Sequence, residues 1–377
     1  MNNIPKIIIK NLLKKAGIDI NGSKPYDITV NDDQFYSRVL RQGSLGLGES
    51  YMDGWWDCQR LDQFVERILR SGTPWIAVLN PITLGLFIKS NLMNLSPKSK
   101  AFKIGEAHYD LGNSLFERIL DPTMSYSCGY WKNSSTLEEA QKAKLNLICR
   151  KIGLRRGQRV LDIGCGWGSF AHYAATNYDA EIVGLTVSKE QVALARERCK
   201  GLPVEIRLQD YRDVREQFDH IVSIGMFEHV GPKNYRTYME VVKRCLRSGG
   251  IFLLHTIGSP RKFLHSMDVW TGKYIFPLGQ LPLRRQIKKS SKELFEIKDW
   301  HEFGKYYDLT LMAWYEHFVA AWNELRAEYG HKINGQFRRM WEYYLLTCAG
   351  SFRARNIELW QVVLTYPGEH QNYPLVR

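Results

Sequence analysis

A run of glycines after an acidic residue, Asp162-x-Gly164-x-Gly166-x-Gly168, is the first indication of chemistry in this chain of 377 residues. The residues before it predict a strand and those after it predict a helix. Glycines at alternate positions let the backbone bend sharply and approach a ligand, and the following helix directs its N–H groups into the turn. This predicts a site for a nucleoside-bearing cofactor at the carboxyl end of a strand. The spacing is not Gly-x-Gly-x-x-Gly and no Gly-Lys-Ser/Thr follows, which excludes the dinucleotide and phosphate-loop motifs.

The glycine pattern resembles the first motif of S-adenosylmethionine (SAM)-dependent methyltransferases. After the second predicted strand, many such enzymes place an acid that holds both ribose hydroxyls. This chain instead has a neutral hydrogen-bonding set there: Thr186, Ser188 and Gln191. Ser188 is also a candidate helix N-cap, and the two roles are compatible. After the third predicted strand, an acid and a flat side chain suit the adenine amine and ring: Asp210, Tyr211 and then Arg212.

Four further segments place polar and aromatic side chains near this predicted pocket: Tyr126–Trp131, Gly225–Val230, Leu254–Gly258 and Trp300–Asp308. Glu228 follows the fourth predicted strand, where an open α/β sheet carries active-site residues. Taken alone, a glutamate or histidine at a strand end is as often structural as catalytic, and a single cysteine is usually a small apolar residue. These segments therefore indicate a site only in combination.

Strands that alternate with helices must position these residues, and the alternation predicts a parallel sheet covered on both faces. The strands are predicted at Arg159–Ile163, Glu181–Leu185, Val204–Leu208, His220–Ile224 and Ile251–His255. The helices are predicted at Thr136–Lys151 and near 169–177, 188–199 and 234–246. After a break, a strand, two helices and a last strand are predicted at Leu294–His301, Leu309–Ala327, Gly335–Leu346 and Ile357–Tyr366.

Residues 1–95 are predicted to form a separate N-terminal helical domain, joined by a linker at about 71–100 to a catalytic domain at 101–377. Two of its segments have helical apolar spacing: Gln34–Arg41 and Leu61–Leu69. Between them, Gly43–Trp56 is rich in glycine and aromatic residues and is interpreted as a turn region.

Over nearly its whole length the chain resembles the bacterial cyclopropane-fatty-acyl-phospholipid synthases. Long, specific segments carry the resemblance: Leu45–Trp56, Gly105–Trp131, Val160–Gly168, Gly225–Pro232, Tyr274–Pro277 and Phe352–Gln361. It implies an N-terminal α-helical domain and an α/β SAM-dependent methyltransferase domain with a Rossmann-like, seven-stranded sheet. It also implies a substrate, the cis double bond of an acyl chain that is esterified in a phospholipid.

The implied reaction needs a base in a dry site. Methyl transfer from SAM to an alkene leaves a carbocation on the acyl chain, and a proton must then leave the new methyl group as the ring closes. The family is understood to hold a bicarbonate ion as that base. Its ligands carry over to four side chains and one backbone group: Cys128, Glu228, His255, Tyr307 and the backbone of Ile257. Cys348 is sometimes assigned to the active site too, but this transfer needs no thiol nucleophile, and a packed helix cysteine is the alternative.

Other residues carry over to SAM and to the cation. The resemblance places Tyr126 and Ser127 at the amino-acid part of SAM and the three glycines in the turn. It places Gln191 at the ribose, and Tyr211 with Arg212 on the adenine side. Nearby aromatic rings could stabilise the carbocation and exclude water: Tyr130, Trp131, Phe227 and Tyr274.

Composition bounds the class of protein. Hydrophobic residues at 44% and charged residues at 24% describe a folded chain, and a net charge of +13 favours anionic surfaces. Seven cysteines, an odd and scattered number without C-x-x-C spacing, predict a reducing compartment and no metal site. Helix-turn-helix, zinc and RNA-binding signatures are absent, which disfavours nucleic acid as the partner.

We expect a cytoplasmic protein that associates peripherally with anionic lipids on the inner face of the cell membrane. Its apolar runs are too short for a signal peptide or a membrane span. Two basic clusters fit a lipid surface: Lys6, Lys10, Lys14 and Lys15, then Arg284, Arg285, Lys288, Lys289 and Lys292. The N-terminal domain and the long, basic Gly258–Lys292 segment, interpreted as a loop, are therefore expected to face the lipid. The resemblance also implies a homodimer.

Two other functions stay open on the sequence. A SAM-dependent N-methyltransferase of a small amine would share the fold and much of the motif set, but it leaves the helical N-terminal region unexplained. A lipid-binding protein without catalysis would also share the fold. The presence of Asp162, Glu228 and His255 argues against that function.

Overall fold

The computed structural model describes residues 4–72, 112–260 and 268–377. Its helices are α1 (Ile4–Lys15), α2 (Gln34–Gln42), α3 (Ser44–Met52), α4 (Leu61–Arg70), α5 (Asn113–Ile119), α6 (Leu137–Lys151), α7 (Ser169–Tyr178), α8 (Lys189–Arg198), α9 (Tyr235–Cys245), α10 (Val269–Tyr274), α11 (Arg284–Ser291), α12 (Lys305–Tyr329) and α13 (Gly335–Arg353). Its strands are β1 (Thr29–Val30), β2 (Trp56–Asp57), β3 (Arg159–Ile163), β4 (Glu181–Thr186), β5 (Val204–Leu208), β6 (Phe218–Ile224), β7 (Leu246–Gly258), β8 (Glu296–Glu302) and β9 (Glu358–Thr365).

The chain divides into two compact units. One comprises Met1–Met93, Phe263–Pro277 and Tyr307–Ile357, and the other comprises Asn94–Lys262, Leu278–Tyr306 and Glu358–Arg377. The first unit thus takes in two segments that lie late in the sequence. The linker predicted at about 71–100 lies outside the described residues except for Ser71 and Gly72, and the predicted domain boundaries stay a prediction.

The second unit contains the seven-stranded sheet, which confirms the predicted fold class. The strand order is β5-β4-β3-β6-β7-β9-β8. The neighbours from β5 through β7 pair in parallel, as predicted, whereas β9 runs antiparallel to both β7 and β8. The order in which successive strands are added to the sheet reverses at β3, whose neighbours are β4 and β6. That switch point is where an open α/β sheet leaves a crevice for a ligand.

Alternate residues of β3 point to opposite faces of the sheet, and both faces are covered. Leu161 and Ile163 belong to a buried cluster that includes Tyr238 of α9. Val160 belongs to a second cluster, with Ile148 of α6 and Phe170 of α7. Since side chains alternate along a strand, Asp162 lies on the same face as Val160, towards α6.

The turn region predicted over Gly43–Trp56 is wrong, because most of it is helix α3. Its glycines serve close packing rather than a turn. A Cβ atom on Gly46 would lie 2.5 Å from the Arg38 carbonyl oxygen, and one on Gly48 would lie 2.3 Å from the Trp270 indole. Trp270 is fully buried, so the space beside Gly48 is filled by a residue that is far away in sequence.

The loop predicted over Gly258–Lys292 is also wrong where the structure describes it. Residues 268–292 contain helices α10 and α11, while 261–267 lie outside the described residues. Asp268 caps α10 by accepting a hydrogen bond from the Thr271 N–H. Within the first unit, Lys273 and Tyr274 then bind Glu49 of α3, at 2.6 and 3.0 Å. Tertiary contacts of this kind hold short helices that composition alone does not predict.

Candidate active site

The glycine turn follows β3 at the switch point of the sheet, as predicted. Gly164, Gly166 and Gly168 have φ angles of 85°, 55° and 82°, a region that favours glycine. A Cβ atom on Gly164 would also lie 2.7 Å from the Met226 side chain. Any larger residue would strain the turn, so the backbone stays open to a ligand beside the start of α7.

Asp162 is buried at the carboxyl end of β3. Its Oδ1 has no hydrogen-bond partner among the described residues. Burial raises the pKa of this carboxyl to about 7, and the positive charge of Lys144 acts in the opposite direction. A buried oxygen without a partner is costly, so this atom suits a hydrogen-bond donor brought by a ligand.

The neutral set after β4 forms a connected group. Thr186 Oγ1 donates to Gln191 Oε1 at 2.7 Å, and all three side chains are buried. Ser188 Oγ accepts from the Gln191 N–H, which confirms that it caps α8. The contacts predicted between this set and the ribose stay a prediction.

After β5, Asp210 and Arg212 bind each other. Arg212 donates to both carboxylate oxygens at 2.8 Å, and its backbone N–H adds a third bond at 2.9 Å. Tyr211 is buried and its ring centroid lies 5.0 Å from that of Tyr238 in the core. The three side chains are therefore held by contacts within the protein, and their predicted contacts with adenine stay a prediction.

Helix α6 holds the segment that carries Tyr126, Ser127 and Cys128. Gln141 Nε2 donates to the Ser127 carbonyl at 2.8 Å, and Lys144 Nζ donates to Ser127 Oγ at 3.0 Å. Gln141 and Lys144 were not among the site residues predicted from the sequence. The sequence could have indicated them, because both lie on the same helical face as the apolar residues of α6, and a polar residue on that face is buried.

Tyr126 and Cys128 are held by further contacts. The Tyr126 ring lies 5.3 Å from Phe116 of α5 and 6.5 Å from Trp167 of the glycine turn. Cys128 is fully buried, and its thiol donates to the Gly129 carbonyl at 3.2 Å. The segment therefore lies beside the cofactor turn and offers a fixed thiol.

Glu228 follows β6 in a short 3₁₀ turn, Phe227–His229. Its Oε1 accepts a hydrogen bond from the backbone N–H of Ile257 at 2.6 Å, so that N–H is already used within the protein. Its Oε2 is buried without a partner among the described residues. Burial raises the pKa of Glu228 to about 7, although the bond from Ile257 lowers it.

His255 lies on β7, two residues before Ile257. Gln361 Nε2 lies 3.2 Å from His255 Nδ1. Because an amide nitrogen only donates, Nδ1 is the acceptor and Nε2 carries the proton. Burial lowers the pKa of His255 below its ordinary value, with help from Lys144 and Lys151, so the ring is neutral. Its Nε2 has no partner in the part of the chain that the structure describes.

Aromatic rings pack around His255. Phe303 lies 5.9 Å from the His255 ring and 5.3 Å from Tyr130, which in turn lies 5.5 Å from Tyr306. Phe227, predicted to face the cation, is fully buried and stacked on Tyr235 at 4.3 Å. Tyr130, one of the aromatic residues predicted near the cation, is thus linked to His255 through Phe303.

Tyr307 and Cys348 belong to the first compact unit. The Tyr307 ring stacks on Phe352 with centroids 4.4 Å apart. Cys348 lies on α13, and burial raises the pKa of its thiol to about 12, which keeps it protonated. This state favours a packed cysteine over a nucleophile.

Comparisons with known proteins show which family the chain resembles. A family model described as mycolic acid cyclopropane synthetase matches residues 96–362. A cyclopropane-fatty-acyl-phospholipid synthase of Escherichia coli strain K12 is 57% identical over 358 residues, or 95% of this chain and 92% of the relative. The mycolic acid cyclopropane synthase CmaA1, crystallised with SAH and CTAB, is 31% identical with a TM-score of 0.63 and covers 72% of this chain and 99% of its own.

A more distant structure shares the fold alone. Coclaurine N-methyltransferase, bound to N-methylheliamine and SAH, has a TM-score of 0.71 at 20% identity, over 85% of this chain and 98% of its own. In the three described stretches of this chain, no helix is long and apolar enough to cross a membrane.

Proposed function

The chain belongs to the mycolic acid cyclopropane synthetase family of SAM-dependent enzymes, and from that premise we propose that it converts the cis double bond of a phospholipid acyl chain into a cyclopropane ring. One observation carries the proposal. Near the ends of the neighbouring strands β6 and β7, the protein buries an acceptor, Glu228 Oε2, and a donor, His255 Nε2, that have no partner among the described residues. Such a pair suits a small ligand that both donates and accepts.

The residues at this point fit a bicarbonate ion. Its O–H can donate to Glu228 Oε2, and its oxygens can accept from His255 Nε2. We propose the Cys128 thiol as a further ligand; the family resemblance also implies the hydroxyl of Tyr307, which belongs to the other unit. The Ile257 N–H supports the ion through Glu228, since it already donates to that carboxylate. When bound, bicarbonate would supply the base for the deprotonation step.

The protein's own groups then have separate tasks. SAM loses its methyl group to the alkene and becomes S-adenosylhomocysteine, which leaves the acyl chain positively charged. Closing the ring requires loss of one proton from the added methyl group, which calls for a base beside it. Glu228 and His255 hold that base in place, and the rings of Tyr130 and Phe303 keep water away from the cation. Without that exclusion, water would trap the cation as an alcohol.

We also propose that α1 places the enzyme on an anionic bilayer. Three isoleucines on one turn of α1 are exposed, at 55% for Ile4, 55% for Ile7 and 37% for Ile8. The same helix has no acidic residue and carries Lys10, Lys14 and Lys15, as well as Lys6, which is paired with Asp33 at 3.0 Å. Apolar side chains that are ringed by cations suit the interface of an anionic bilayer.

The second basic cluster supports this less directly. Arg284 of α11 donates to Glu358 at 2.6 Å, and its guanidinium lies 5.2 Å from the Trp360 ring. That residue is therefore held within its own unit rather than free to bind lipid. A cytoplasmic location at the inner membrane face and a homodimer, which the family resemblance implies, complete the proposal. Sedimentation of the purified protein tests the dimer.

The test of the reaction is product analysis. The purified protein is incubated with SAM, bicarbonate and vesicles of a monounsaturated phospholipid, and the released fatty acids are examined by mass spectrometry and proton NMR. A gain of one CH2, loss of olefinic signals and new cyclopropane protons are expected. A methyl branch or a hydroxyl would overturn ring closure, and no product with SAM bound would direct attention to small amines.

A further inference from the structure

Lys144 is a buried cation that the proposed chemistry does not use. It lies on α6 with 1% of its surface exposed, and its Nζ donates to Ser127 Oγ at 3.0 Å. That is its one hydrogen bond among the described residues, and no carboxylate there forms an ion pair with it. Lys151, equally buried on the same helix, is instead paired with Asp299 at 3.2 Å. A buried charge with no carboxylate in direct contact is costly, so the site around Lys144 suits a negative ligand.

The hydrogen bond between Lys144 and Ser127 sets the direction of the serine hydroxyl. An ammonium group only donates, so Ser127 Oγ accepts and its own hydrogen must point elsewhere. Gln141 holds the Ser127 carbonyl at 2.8 Å, which leaves the hydroxyl little freedom to turn. Ser127 therefore presents a donor, and donors select anions such as carboxylates.

The charges that surround Lys144 agree with this arrangement. Asp121, Cys128 and Asp162 each favour its charged form, while burial lowers its pKa to about 8. At neutral pH the ammonium is therefore still charged. The positive charge of Lys144 also lowers the pKa of His255 on β7 and so helps to keep that ring neutral.

We infer that Lys144 is a positioning residue for SAM: it directs the Ser127 hydroxyl toward the carboxylate of the methionine part and offsets the charge of that carboxylate. The inference rests on the proposed function only in placing the amino-acid part of SAM at Ser127. It does not depend on the lipid, the base or ring closure, so binding measurements without lipid test it separately.

The experiment compares SAM with decarboxylated S-adenosylmethionine, which lacks only the carboxylate, by isothermal titration calorimetry. For Lys144→Met we expect SAM affinity to fall about 10- to 100-fold, the effect of losing one charge-assisted hydrogen bond. Affinity for the decarboxylated ligand should stay within about threefold of wild type. An equal loss for both ligands, or no loss for either, would overturn the inference.

Three further variants separate positioning from general damage. Lys151→Met removes an equally buried lysine from the same helix, so it should lower the melting temperature without changing the ratio of the two affinities. Lys144→Gln keeps a donor without the charge and should recover part of the SAM affinity. Ser127→Ala should reproduce the loss, and the double variant Lys144→Met/Ser127→Ala should lose no more than the larger single change. Additive losses in the double variant would show that Lys144 does not act through Ser127.

If the wild-type protein failed to bind SAM at all, the proposed function and this inference would both fail. Wild-type SAM binding with an unchanged ratio in Lys144→Met would contradict the inference alone.

Discussion

At the scale of single residues, burial acts in opposite directions on the two groups proposed to hold the base. It raises the pKa of Glu228 to about 7 and lowers the pKa of His255. Both shifts favour the neutral forms, because a charge is poorly solvated there. A neutral histidine with its proton on Nε2 is the donor that a bound anion needs, and Glu228 is poised between acceptor and acid.

Removal of either group should separate binding from turnover. Glu228→Ala and His255→Ala are expected to lower kcat by about 100-fold or more, since a misplaced base loses most of its effect. SAM affinity should stay near wild type in calorimetry, because neither side chain is assigned to the cofactor. Near-normal rates in both variants would rule out the assigned base site.

The raised pKa of Glu228 also predicts a dependence of stability on pH. Its folded pKa of about 7 exceeds the ordinary value of 4.5, so the ligand-free fold loses stability as the pH rises from about 4.5 to about 7, and the loss is complete above pH 7. Glu228→Gln should therefore raise the melting temperature at pH 8 relative to wild type, and the difference should disappear below pH 4.5. Glu197→Gln, at an exposed position on α8, is the control for the loss of a carboxylate. A constant difference at every pH would contradict the ionisation argument.

At the scale of elements, α6 and α3 show how a helix can depend on distant residues. Helix α6 holds the Ser127 segment through Gln141 and Lys144, two polar residues on its buried face. Helix α3 contains glycines that would weaken it in isolation. It persists because Trp270 of α10 packs against the space that Gly48 leaves open.

This packing predicts the effect of adding one methyl group. Gly48→Ala should destabilise the protein by about 1–3 kcal/mol, because its Cβ would lie 2.3 Å from the Trp270 indole in a filled core. Gly272→Ala on α10 is the matched control, since a Cβ there meets no atom within 4 Å. Chemical denaturation measures both, and equal midpoints would contradict the packing argument.

At the scale of the whole molecule, the residues proposed for catalysis and those proposed for lipid docking are divided between two compact units. The sheet unit carries the glycine turn, Glu228 and His255, while the other carries α1 and Tyr307. The chain leaves the sheet unit and returns to it twice. Segments that are far apart in sequence, such as α3, α10 and α13, therefore share one unit.

The exposed face of α1 predicts how the molecule meets its substrate. Replacing Ile4, Ile7 and Ile8 together by serine should weaken binding to vesicles that contain anionic lipid by about tenfold or more, because their apolar surface would no longer enter the bilayer. Co-sedimentation with vesicles measures the effect. Leu208→Ser, which changes an exposed apolar residue on β5, is the control and should bind as wild type does. Unchanged binding by the triple variant would exclude α1 as the docking face.

Local patterns determined much of this protein by themselves. The apolar run before Asp162 and the glycines after it predicted the strand, the turn and the cofactor crevice, because each depends on residues that are neighbours in sequence. The same holds for Ser188 as the cap of α8. The resemblance to a known family added Glu228, His255 and the reaction.

Only the tertiary structure decided the rest, because the deciding contacts join residues far apart in sequence. Gly48 indicated a turn until Trp270, more than two hundred positions later, was seen to fill the space beside it. The sequence shows Lys144 only as a charged residue of a predicted helix, whereas the fold buries it and directs its ammonium group to Ser127. The proton on His255 Nε2 likewise depends on Gln361 of β9, a strand that reaches β7 only through the fold. A sequence pattern records what a residue can do, and long-range packing selects which of those roles it takes.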